Sequence, residues 1–176
     1  MTSQIFKKSV LAIVLFFVAS VNIHAQESSM QELIGQSLSK KQPTAESVVN
    51  CVAELKRIDA MFPDSVQPKY QIALTCLEFS VTNPHAPQTE SLLTEAEQAI
   101  EQMKKLKDAD ESDIYTLHGF LYMTLIVQNP AINGQRYYMD VMEDYEKALR
   151  INPDNELAKQ LQQAFMDGMK QATGGY

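Results

Sequence analysis

From Met30 onward apolar residues recur every three or four positions, and no stretch shows the sustained alternation of a strand. The clearest stripe is Leu92, Leu93, Ala96, Ala99, Ile100, Met103 and Leu106. Glu95, Glu97, Glu101, Lys104 and Lys105 fall between these positions, on the face expected to meet water. A second stripe runs Tyr138, Val141, Met142, Tyr145, Ala148, Leu149 and is stopped by Asn152-Pro153. A third, Val48, Val49, Val52, Leu55 and Ile58, ends before Phe62-Pro63-Asp64. Residues 155–171 predict a closing amphipathic helix with Leu157, Leu161, Ala164, Phe165 and Met169 on one side. Two other segments, residues 70–79 and 114–127, are apolar nearly all round, as helices are when they lie between neighbours or line a groove. One-faced helices alternating with such buried ones predict an all-α, two-layer helical solenoid.

Internal similarity supports that architecture. A shift of 45 residues lays Tyr70 on Tyr115, Ala96 on Val141, Ile100 on Tyr145 and Met103 on Ala148, and a shift of 46 lays Asn83-Pro84 on Asn129-Pro130. Tyr115, His118-Gly119 and Tyr122, followed by Tyr145, Ala148 and Pro153, resemble one tetratricopeptide repeat, a helix-turn-helix unit of about 34 residues. The units here are about ten residues longer than that, and the excess is expected in the loop between their two helices. Leu74 stands in the earlier unit where Gly119 stands in the later one.

The stretch from Ser112 to Ala158 also looks like a group of exported helical-repeat proteins common in Bacteroidetes. Their pattern is a repeat helix, an Asn/Asp-Pro step, then Gly-Gln-Arg/Lys-Tyr opening the next helix. Here it reads Asn129-Pro130, Gly134-Gln135-Arg136-Tyr137, Ala148-Leu149 and Asn152-Pro153. The resemblance implies a tetratricopeptide-like solenoid closed by a C-terminal capping helix, an exported location, and the holding of a partner in place of chemistry. It names no partner.

The N-terminus reads as an export leader. Lys7 and Lys8 precede an apolar or small-residue run over 9–21, shorter than the roughly 20 residues a membrane-spanning helix needs, and Ala25-Gln26 offers a cut. The expected organisation is a signal peptide over 1–25, a partly helical segment over 26–43, a helical domain over 44–172 and a disordered tail over 173–176. Cleavage would remove two Lys and no acid, leaving 13 basic and 22 acidic side chains where the whole chain has 15 and 22; the net charge moves from −7 to −9. An acidic chain without a basic cluster argues against nucleic acid and against an anionic membrane surface. A periplasmic protein, not inserted in the membrane once cleaved, is the expectation.

Candidate chemistry is sparse. His85 and His118 are the histidines left after cleavage, and neither stands three or four residues from a second ligand on a shared face, so no metal or cofactor is expected. No phosphate loop, nucleophile elbow or catalytic residue is predicted, and Glu143-Asp144 reads as a solvated helix face. Cys51 and Cys76 lie about equally far from a turn near Pro63-Asp64. Two readings stand open for them: a disulfide, which export permits, or two small buried residues that pack.

The repeat alignment implies a concave face lined by Pro68, Gln71, Thr75 and Glu78 in the earlier unit and by Asp113, Thr116, Phe120 and Met123 in the later. Phe120 and Met123 are the expected apolar anchors for a partner helix or peptide, with packing on the closing helix as the bland alternative. Arg136, Tyr137 and Tyr138, expected in the long loop, are further candidates. The function expected is a non-enzymatic scaffold for an unidentified protein or peptide. Self-association as a homodimer through the solenoid's end faces is the first alternative, and a small-molecule binder or hydrolase near His118 and Tyr122 the second.

Overall fold

The computed structural model describes residues 27–172, so the readings of 1–25 as a leader and 173–176 as a tail lie outside the described residues. Within that range the chain is helical throughout, with no strand. Helix α1 covers residues 27–39 and buries Met30 and Ile34, one turn apart. It belongs to a unit that ends at Ser39.

From Lys40 onward six helices follow: α2 (Ala45–Met61), α3 (Val66–Thr82), α4 (Thr89–Met103), α5 (Glu111–Gln128), α6 (Pro130–Ile151) and α7 (Glu156–Ala172). Local chemistry sets their starts. Thr44, Asp110, Asn129 and Asn155 each accept a backbone N–H of the first turn they precede, at 3.3, 2.7, 3.3 and 3.0 Å. Pro130 opens α6, where a missing N–H costs nothing. No helix among the described residues is long and apolar enough to cross a membrane.

The packing is that of a solenoid-like stack of helical pairs. Helices α3 and α4 form one pair and α5 and α6 the next; α5 also rests on α3 and α4, and α7 rests on α5 and α6. The stripes read from the sequence point inward: Leu92, Leu93, Ala96, Ala99, Ile100 and Met103 of α4 are buried, as are Val141, Tyr145 and Ala148 of α6. Helices α3 and α5, apolar on nearly every side, are the ones sandwiched.

The expected long loop is absent from the later unit. Asn129 alone separates α5 from α6: its N–H closes the end of α5 on Leu125 O while its side chain caps α6. The additional residues lengthen α6 to 22 residues, and Gly134, Gln135, Arg136 and Tyr137 are all helical. The earlier unit does keep a loop, residues 83–88.

Gly119 fixes how closely α5 and α6 approach. The ring of fully buried Tyr145 lies over it, and a Cβ at that position would stand 2.9 Å from Tyr145 Cε1. The Tyr145 hydroxyl reaches Met123 Sδ at 3.9 Å. A second fixed point is buried Asn155. Its amide faces Ser112 Oγ, Thr116 Oγ1 and Asp113 Oδ1 of α5 at 2.9, 3.2 and 3.2 Å, while Ser112 Oγ donates to Ala148 O of α6 at 3.0 Å. One side chain thus ties α7 to both helices of the pair. At the α2–α3 turn, buried Lys69 does similar work, donating to Asp59 Oδ1, Pro63 O and Ser65 O at 2.6, 2.6 and 3.2 Å.

Two substitutions of the same chemistry should therefore move stability in opposite directions. Gly119→Ala is expected to cost about 1–3 kcal/mol, because the buried ring has nowhere to go. Gly134→Ala, with nothing within 4 Å of a new Cβ, should gain up to about 1 kcal/mol from helix propensity. Asn155→Ala should cost roughly 1–3 kcal/mol through the lost cap and the buried partners left unsatisfied. Urea denaturation of the three variants against the parent measures all of these.

Candidate functional site

Gly119 and Tyr145 meet, so the residues beside them in sequence, His118 and Asp144, also come together. His118 Nδ1 lies 2.8 Å from Asp144 Oδ2. A carboxylate accepts, so Nδ1 carries the hydrogen, and a neutral His118 ring presents Nε2 as an acceptor. Asp144 is buried, contrary to the solvated face expected for it, and His118 is half-buried. A separation of 26 positions hides the pair from any reading of local spacing. The signal available was the Gly–Tyr contact next door.

The pair stands at one end of an aromatic row. The His118 and Tyr122 rings are 4.5 Å apart and tilted by 60°; Tyr122 and Tyr137 are stacked at 4.9 Å and 13°; Arg136 Cζ sits 4.9 Å over Tyr137. Helical spacing builds it. Tyr115, His118 and Tyr122 share one face of α5, while Asp140, Asp144 and Lys147 share the facing side of α6.

These residues wall a half-open cleft of about 510 Å³, within the size range of ligand sites. Its basic groups are largely internally matched: Lys147 pairs with Glu143 at 2.6 Å and lies over the Tyr115 ring, and Lys104 pairs with Glu101 at 2.5 Å. At the other end the field is negative. Burial first, then the charges of Asp140 and Asp144, raise the Tyr122 hydroxyl above its ordinary pKa.

The expected concave face does not form one open groove. Phe120 and Met123 are only 4% and 8% exposed, and Met123 is turned toward Tyr145, so neither offers an anchor to a partner. Asp113 and Thr116 are spent on Asn155, and burial raises the Asp113 carboxyl despite that bond. In the earlier unit Pro68 is buried and Gln71 half-buried. Thr75 and Glu78 share a smaller cleft of about 340 Å³ with Lys41, which pairs with Glu78 at 2.8 Å. Arg136 and Tyr137 are brought to the aromatic row, but from a helix and not from a loop. Tyr138 instead tilts against Phe165 of α7 at 5.6 Å.

Cys51 on α2 and Cys76 on α3 are both buried and stand as thiols. Burial foremost, with Glu95 and the nearby Cys51 adding, pushes the Cys76 thiol up to about 12. Among the described residues no group of three or more His, Cys, Asp or Glu is placed to hold a metal ion. No family model matches the chain, and neither a curated protein nor a solved structure matches it.

An alkaline limit to stability follows from the buried acids. Burial raises Cys76 from 9.0 to about 12 and Tyr70 from 10.0 to about 12, and raises Tyr145 further still. All three hold their protons to higher pH folded than unfolded. Their contribution is intact below the unfolded thiol value and is lost as pH rises from roughly 9 toward 12. Urea midpoints should be flat in this respect up to about pH 9 and fall above it. A midpoint that holds steady to pH 11 would contradict this.

Proposed function

We propose that this chain is a non-enzymatic interaction module of the cell envelope, a short tetratricopeptide-like array that holds a peptide segment of a partner protein. The observation that carries this reading is the half-exposed row His118, Tyr122, Tyr137, Arg136, held ring against ring, whose first two members line an open cleft. Tyr and Arg are the residue types that dominate binding hot spots, and rings already held in place lose little freedom when a partner arrives. The docking surface in this reading is the α5–α6 cleft and not the concave face, whose apolar side chains are used in packing. Binding is favoured over acyl transfer because, among the described residues, the cleft lining offers no Ser, Thr or Cys for His118 to activate. The envelope location rests on the leader read in residues 1–25.

A second reading has its own support. Ile132 and Met139, on one face of α6, are 66% and 70% exposed, and Met139 borders an open apolar hollow with Tyr138, Met166 and Met169. A surface of this kind suits a copy of the same chain.

Photocrosslinking in cells separates the two. A crosslinking residue at Tyr137 should capture one reproducible partner, and one at Gln163, exposed on α7, should not. The Tyr137 product should fall about tenfold when Tyr122 is also replaced by Ala. Capture of only the chain itself, with a dimer that dissociates on Met139→Glu, would establish self-association instead. Equal capture from both positions would overturn the assigned cleft.

A further inference from the structure

We infer that the α5–α6 cleft receives a guanidinium group, the side chain of an Arg in the partner's peptide segment. This rests on the peptide-binding reading and specifies what that site recognises.

The inference starts from what the protein leaves unmatched. Among the described residues, the exposed Asp140 carboxylate makes no hydrogen bond or ion pair, and neither does the Tyr122 hydroxyl. His118 Nε2 likewise has no protein partner, its Nδ1 being engaged by Asp144. All three residues line the cleft. The carboxylate is an acceptor outright because it has no proton to give, and on a neutral His118 ring Nε2 is one too, since Asp144 holds the hydrogen on the opposite nitrogen. The Tyr122 oxygen can accept as well as donate. What fits such a wall is a cation with several donors.

Arg suits it better than Lys. Its planar fork carries five N–H donors, pairs side by side with a carboxylate, and gives up its water more readily than an ammonium does. It also stacks on aromatic rings, and the molecule already displays that arrangement where Arg136 covers Tyr137. An anionic ligand fits less well. Lys104 and Lys147 are matched by Glu101 and Glu143, which leaves Lys107, among the described residues, as the lining cation without an ion pair. The charge of the chain as a whole, −7, favours the approach of a basic segment.

The test uses the full chain and a displayed library of random 12-residue peptides, followed by titration of one enriched peptide. Enriched sequences should share an Arg. Replacing that Arg with citrulline, which keeps the shape and loses the charge, should weaken binding about tenfold or more. Asp140→Asn should weaken the Arg peptide by a similar factor and leave the citrulline peptide's residual binding unchanged, the signature of a direct pair. Tyr122→Phe, which keeps the stacked ring and deletes the hydroxyl, should weaken binding several-fold. Glu146→Gln, an exposed acid of α6 outside the cleft, should change nothing. Peptides that bind without an Arg, or that ignore Asp140→Asn, would overturn the guanidinium assignment and leave the interaction reading standing. Enrichment of no peptide by a folded chain would overturn both.

Discussion

The contact between Gly119 and Tyr145 governs this molecule more than any hydrogen bond does. A helix pair settles at the separation its bulkiest facing side chains permit. Here the bulk belongs to α6 and the gap to α5, and the ring lies against bare backbone. That distance puts His118 within reach of Asp144, and the same registry brings Tyr137 onto Tyr122 two turns away along α6. A pair held one side chain further apart would keep its helices and lose its row of rings. The earlier pair, α3 and α4, has Leu74 at the matching position and shows no such row among the described residues. The two helix pairs of the stack thus differ at the position that decides how closely the helices pack.

Polar side chains do the remaining positioning, and they do it at helix ends. Asn155 both starts α7 and bonds the first turn of α5; Lys69 gathers the acceptors of a turn. Each is buried and matched to partners, the condition under which buried polar groups fix a geometry instead of weakening it. Apolar burial drives the stacking, and these groups choose the angle and register at which it stops.

The fold was legible because its signals are local. A stripe at three- and four-residue spacing states which face is buried, and Asn-Pro steps state where helices turn. Two features were not legible, for different reasons. Gly134 reads as the opening of the second helix after a long loop, yet Asn129 and Pro130 start α6 four residues earlier, and a glycine inside an established helix is merely a weak link. Phe120 and Met123 read as surface anchors because sequence shows that a side chain is apolar, not what covers it; that depended on where α6 and α7 came to rest. The site suffered most. Arg136 and Tyr137 stand out on residue type and do join it, whereas Asp144, the partner that holds the hydrogen on His118 Nδ1, reads from sequence as a surface charge. A pair separated by a helical turn-around leaves no periodic trace.

The single-residue connection at Asn129 has a bearing on how this chain can vary. A helix advances about 100° per residue, so one residue gained or lost beside Asn129 would rotate α6 against α5 by that angle. Asp144 would swing away from His118, Tyr137 away from Tyr122, and Tyr145 off its glycine. The six residues at 83–88 impose no such tie on α3 and α4. Length variation is therefore tolerable at one hairpin and prohibited at the other, and relatives that preserve the cleft should be recognisable by an unchanged count of residues from Gly119 to Tyr145, whatever has happened to the side chains in between.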